Sequence, residues 1–237
     1  EYLDVPYPWY TYSQAPVRNA SNGSTEHTGL SLLFEDTQFD RRASQDVNNR
    51  DLIVNSLATQ WFGSFVAPES WAYLPLSKGL ATYMEYLYRR EVLGREAADW
   101  HNLQHKIRYF DEAQTFRRPV IFDRYKNPSQ LNDAHSSEKT SRIFRMLHHL
   151  LGKESWRSGL NLYLQANAFE FVDLRDLQTA FERQSGKQLD YFFDQWFHEP
   201  GHPTLHTQVD TTQQGVDIRI VQTQDTEKQP VYRLPLD

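Results

Sequence analysis

The chain has 237 residues, of which 39% are hydrophobic and 14% aromatic, enough to bury a sizeable core without a covalent staple. It has no cysteine, which excludes a disulfide framework and thiol chemistry and leaves the compartment unassigned. A formal net charge of -6 with scattered basic residues argues against a nucleic-acid partner, and no apolar run reaches the length of a membrane span.

Residues 1 to 40 mix Pro, Ser, Asn and Gly punctuation with short apolar runs, of which Leu30 to Phe34 is the clearest strand. From Asp46 the spacing turns helical. Leu52, Ile53, Leu57, Gln60 and Trp61 predict a buried helix running to Phe65, with Gly63 marking a close approach to a neighbour. Pro68 and Pro75 are expected to bracket the connection to a helix around Leu80 to Tyr88. Further helices are predicted over 97–110, 133–151, 153–167, 173–185 and 188–198, with Asp173 capping the fourth of these and Gly186 closing it. Beyond Pro203, the alternation of Val216, Ile218 and Ile220 predicts a strand. There is no repeat or low-complexity tract.

The informative stretch is Leu52 to Tyr83. Asn55 and Thr59 fall on one helical face with Ser56 between them, and eighteen residues separate Thr59 from Lys78. Gln60, Trp61, Phe62 and Gly63 continue the first segment, while Gly79, Ala81, Thr82 and Tyr83 follow Lys78. Upstream stand Pro6-Tyr7-Pro8 and Gly23-Ser24-Thr25-Glu26-His27; downstream stand Asp133-Ala134-His135-Ser136-Ser137-Glu138-Lys139, Arg145-Met146-Leu147, Gln195-Trp196 and Pro200-Gly201-His202-Pro203. Together these resemble the aminopeptidase N family of zinc metallopeptidases. Its PYP and GxMEN segments, HExxH helix, distant Glu ligand, DAxSYEKG segment and closing RML, QW and PGYP occur in this order.

The resemblance implies an α+β, mostly α fold: a thermolysin-like metallopeptidase catalytic domain with a short β-rich start, over residues 1–203. Residues 204–237, with Val221-Gln222-Thr223-Gln224 and Leu234-Pro235-Leu236, look like the first strands of a following β-sandwich domain. It also implies that an amino-terminal β-domain precedes this stretch, so that any targeting signal would lie upstream. In the family the two His and the distant Glu bind zinc, the HExxH Glu activates water, and the Tyr of DAxSYEKG stabilises the tetrahedral intermediate. The matching positions here are Asn55 and Thr59 with Lys78, then Ser56, then Ser137. An amide and a hydroxyl are poor donors to a borderline-soft ion, and an ammonium at the third position opposes a cation. Ser56 has no helper to make it a base, and Ser137 is no substitute for a phenol.

No catalytic residue, metal or cofactor is therefore expected, and Asn55, Ser56, Thr59, Lys78 and Ser137 read as vestigial positions. The resemblance assigns substrate binding to Gly23, Thr25 and Glu26, to which Lys78 is added as a carboxylate anchor. Glu26 and Lys78 are expected either to pair across the former zinc space or to reach water separately. Trp61, Phe62, Trp71 and Tyr83 read as core or cleft-wall residues. His101 and His105 have an i, i+4 spacing that can hold metal, but no third ligand is evident beside them. His198, His202 and His206 are interrupted by Pro200, Gly201 and Pro203, and the SxxK formed by Ser136 to Lys139 lacks its companion motifs. The expected function is a pseudo-peptidase without zinc that binds peptides or amino acids, or serves as a scaffold for a protein partner. The alternative is an active aminopeptidase-like hydrolase with an unrecognised metal site or a metal-independent mechanism.

Overall fold

The computed structural model describes residues 2–18, 24–46, 49–212 and 215–235. Three strands open it: β1 (Ser13–Val17), β2 (Ser24–His27) and β3 (Leu30–Phe34). The central β3 pairs with β1 in parallel and with β2 antiparallel, with Glu26 opposite Ser31 and Thr25 opposite Leu32. A helical body follows, and its apolar spacing explains where it buries.

Helix α1 (Arg50–Thr59) runs into a π-helical turn at Gln60–Phe65, so the expected helix to Phe65 is present but changes its winding at Gln60. Gln60 is fully buried and fixes the sheet to this helix: its Oε1 accepts from the Gly29 amide at 2.8 Å, and its Nε2 donates to the His27 carbonyl at 3.0 Å. A Cβ on Gly63 would come within 2.7 Å of Thr59 Cγ2 and 2.9 Å of Ser77 Oγ, the close approach that its position predicts.

Helix α2 (Leu74–Val92) starts earlier than expected. Pro75 stands in its first turn, where the missing amide hydrogen would be unpaired anyway, so the connection at 69–73 lies between Pro68 and Pro75 as expected. Pro68 lies in a short strand, β4 (Ala67–Pro68), which pairs in parallel with β5 (Phe171–Val172). Next come α3 (Arg95–Thr115), a π-helical turn at His135–Lys139 leading into α4 (Thr140–Leu151), α5 (Lys153–Ala166), α6 (Leu174–Ser185), and α7 (Asp190–Phe193) with its π-helical extension Asp194–His198. The Asp173 side chain accepts from the Arg175 and Asp176 amides, and Gly186 ends α6 in the left-handed conformation at φ 67°, as the cap residues predict.

Helix α2 packs against α1, α3 and α4, and α5 packs against α6. Leu80, Phe144, Trp156, Leu160, Leu177, Phe181 and Phe197 are wholly buried at the centre. Trp156 is stacked between His148 and Phe181, with ring centroids 5.0 Å away on either side, and meets Tyr83 edge-on. Gly79 lets α2 close on α4: a Cβ there would lie 2.3 Å from Thr140 Cγ2. The chain then forms a hairpin of β6 (Leu205–Thr212) and β7 (Gly215–Gln222), whose Val216, Ile218 and Ile220 fall on the predicted strand but point to solvent. Among the described residues after Gln222 there is no further strand, and Leu236 lies outside them.

Candidate functional site

A cleft of about 1610 Å³ runs between β2 and α1 on one side and α2, α3 and the His135–Lys139 turn on the other. It is lined by Thr25, Glu26, Asn55, Thr59, Lys78 and Ser137, so helical and strand spacing bring the sequence-selected residues to one place. Gly23 lies outside the described residues. Ser56 is fully buried beneath the cleft floor and reaches it through Glu26. Of the aromatic residues, Phe62 and Tyr83 are buried, Trp61 packs against the core, and Trp71 lines the cleft mouth at 54% exposure.

The contacts of these residues define their chemistry. Glu26 Oε1 accepts from Ser24 Oγ at 2.5 Å and from Ser56 Oγ at 2.8 Å, while Oε2 has no partner among the described residues. Lys78 lies beyond ion-pair distance of Glu26 and of every other described carboxylate, so of the two expected alternatives the Glu26–Lys78 pair is not formed; two serine hydroxyls hold one oxygen of the Glu26 carboxylate. Asn55 Nδ2 donates to Glu85 Oε1 at 2.6 Å and approaches Thr82 Oγ1 at 3.4 Å. Thr59 Oγ1 donates back to the Asn55 carbonyl of its own helix at 3.0 Å.

Glu85 is the residue that sequence reading passed over. It lies on α2 seven positions after Lys78, two helical turns along the same face, which is the signal that could have pointed to it. Its Oε2 is 3.0 Å from His101 Nε2 and 3.9 Å from His105 Nε2, so the histidine pair on α3 does have a third donor beside it. Burial raises the Glu85 pKa against the opposing hydrogen bonds from His101 and Asn55. Burial, reinforced by His101, pushes His105 down to about 3, leaving a neutral imidazole.

Farther along the same wall, Glu112, Asp133 and His135 converge. His135 Nδ1 bonds to Glu112, whose other oxygen accepts from the Ala134 amide at 3.0 Å. Asp133 is held by the buried Arg118 at 2.9 and 2.6 Å; burial opposes its ionisation, and the guanidinium overcomes this to lower its pKa. Arg118 also donates to Ser136 Oγ and to the carbonyls of Pro119 and Val120, which locks the turn that carries Ser137. Glu138 pairs with Arg108 at 2.8 Å. Lys139 is buried with no hydrogen-bond partner for its Nζ, and burial pushes its pKa down to about 7.

Comparison with known proteins gives this arrangement a context. Residues 1–196 match the Peptidase family M1 domain. Aminopeptidase M1-A of Oryza sativa subsp. japonica is 27% identical over 217 residues, covering 88% of this chain and 25% of that protein. Aminopeptidase N of Lactococcus lactis subsp. lactis is 25% identical over 224 residues, covering 88% and 26%. Among solved structures, Legionella pneumophila aminopeptidase A in complex with aspartic acid aligns at a TM-score of 0.68 with 26% identity, over 88% of this chain and 24% of that one. The chain thus spans about a quarter of the length of the relatives it matches.

Proposed function

Because this chain belongs to peptidase family M1, we propose that it is a domain of that family which keeps the ligand cleft without zinc at the family's metal positions. It binds the amino end of a peptide or an amino acid, and does not hydrolyse it through those positions. The observation that carries this reading is the behaviour of Asn55, which directs its amide hydrogens to Glu85 and Thr82 where the family places a metal-binding imidazole. Thr59 turns its hydroxyl to its own helix, and Lys78 adds a positive charge to the third position. Such a donor set does not fit zinc, and no step of a reaction is derived through that ion.

The residues that remain suit recognition. Glu26 keeps Oε2 open toward the cleft while Ser24 and Ser56 fix its other oxygen, so a ligand ammonium finds an oriented carboxylate. Lys78 and Thr25 stand on the same cleft and supply a cation for a ligand carboxylate and a hydroxyl for its backbone. The relative that was solved with aspartic acid supports an amino acid as the class of ligand. The hairpin after Pro203 belongs, in this reading, to a following β-sandwich domain, to which its solvent-facing Val216, Ile218 and Ile220 would be the packing face.

The test is thermal denaturation with a panel of free amino acids and short peptides. Binding to the folded state raises the melting temperature by mass action, and Glu26→Ala removes the shift for ligands with a free amino group. A panel without any shift would leave a scaffold role, with the cleft unused.

A further inference from the structure

Among the described residues two donor groups are left unused by the proposed function, Glu85 with His101 and His105, and Glu112 with Asp133 and His135; in the second, Asp133 is held by Arg118 and His135 by Glu112, so the first is the one free to take an ion. His101 and His105 are one helical turn apart, and their rings meet with centroids 4.1 Å apart. Glu85 reaches them from α2, and one donor atom from each of the three lies within 4.8 Å of the other two. We infer that Glu85, His101 and His105 form a site for a divalent transition-metal ion of the zinc class, displaced from α1 onto the α2–α3 wall.

The separations fit that assignment. Ligand atoms about 2.0–2.1 Å from a tetrahedral ion stand roughly 3.3 Å from one another. The approaches of 3.0 and 3.9 Å to Glu85 Oε2 bracket this value, and all three donor atoms lie within 4.8 Å of one another, so side-chain rotation without backbone movement would close the site. Two imidazoles and a carboxylate are also the donor types that zinc prefers in three-ligand sites.

Three features argue for a prepared site over a chance cluster. All three ligands are on long helices, α2 and α3, which hold them more rigidly than loops would. Asn55 donates to Glu85 Oε1, which orients the carboxylate and leaves Oε2 for the ion. His105 is 6% exposed and lines the cleft, and its ring makes no hydrogen bond among the described residues, so it is held in place with a nitrogen available to an ion. Glu85 and His105 both line the cleft, so an ion has an entry path and its fourth position faces the space where a ligand would lie. Water, or an amine or carboxylate of that ligand, would complete the coordination.

The site stands independently of the proposed peptide binding: either can be present without the other. The experiment is a titration of the untagged, chelator-stripped chain with zinc by calorimetry and with cobalt by visible absorption. One equivalent is expected, with the intense visible bands of low-coordinate cobalt. His105→Ala and His101→Gln should each weaken binding by about 100-fold or more, and His135→Ala should leave it unchanged. A wild-type chain that takes up neither metal would overturn the inference and leave a metal-free His–Glu hydrogen bond. Binding that survives in folded His101→Gln, or that is lost only in His135→Ala, would also overturn it. Peptide-induced stabilisation measured on the same samples reports separately on the cleft.

Discussion

The two walls of the cleft are built on the same kind of helical frame and carry opposite chemistry. On the β2–α1 wall Thr25, Ser56 and Thr59 stand near the carboxylate of Glu26, and the hydrogen bonds of Ser24, Ser56 and Thr59 there are made by small hydroxyls, while Asn55 reaches across to Glu85. The opposite wall carries buried and half-buried ionisable groups: Glu85 with His101 and His105, Glu112 with His135, Arg118 with Asp133, and Lys139, which has no hydrogen-bond partner and lies over the Tyr109 ring. The difference teaches that a helical frame can be kept by packing alone while the donors on it are exchanged. Gly63, Gly79 and the buried Phe62 and Tyr83 hold α1 and α2 in place whatever occupies Asn55 and Lys78.

If the charge-bearing wall is the costly one, its substitutions should dominate. Arg118→Ala leaves Asp133 buried without its partner and frees the turn that carries Ser137, so it should destabilise by about 3–5 kcal/mol in chemical denaturation. On the opposite wall Thr59→Val removes only a bond to the helix's own carbonyl and should change stability by less than about 1 kcal/mol. Equal losses would erase the contrast between the walls.

Lys139 sharpens the comparison with an effect of the opposite sign. Its folded pKa of about 7 lies below the ordinary 10.5, so between these values the unfolded chain holds the extra proton and stability rises with pH. Below pH 7 the full penalty of the buried charge is present. Lys139→Met should therefore stabilise the fold at pH 7 by on the order of 1 kcal/mol or more, and the gain should fade toward pH 10.5. Melting curves of both proteins across that range provide the check, and a gain that is flat with pH would mean that Lys139 is not the group that titrates.

Much of the frame was legible in the sequence, and the reasons are local. Leu52, Ile53 and Leu57 mark α1 by spacing, and Asp173 and Gly186 mark the start and end of α6 by backbone chemistry, so these elements appear where they were expected. The three π-helical turns were not legible, because an added residue per turn leaves no distinct apolar pattern. Pro75 marked the end of the connection correctly, but the helix was expected around Leu80 and starts at Leu74, because proline signals a loop or a helix start and only the chain that follows decides. Spacing placed Glu26 and Lys78 on one cleft but could not give the distance across it, which Ser24 and Ser56 decide by reaching the carboxylate. The third donor beside His101 and His105 was missed for a related reason. Glu85 is sixteen positions from His101 in sequence and meets it only when α2 and α3 fold together.

The most direct test of the account is hydrolysis of aminoacyl anilides by the untagged chain supplied with zinc, with and without chelator. The account predicts no turnover above background in either condition, even where metal is bound at Glu85, His101 and His105. Turnover that is lost on chelation and restored by zinc would contradict it, and would return this chain to the working peptidases of its family.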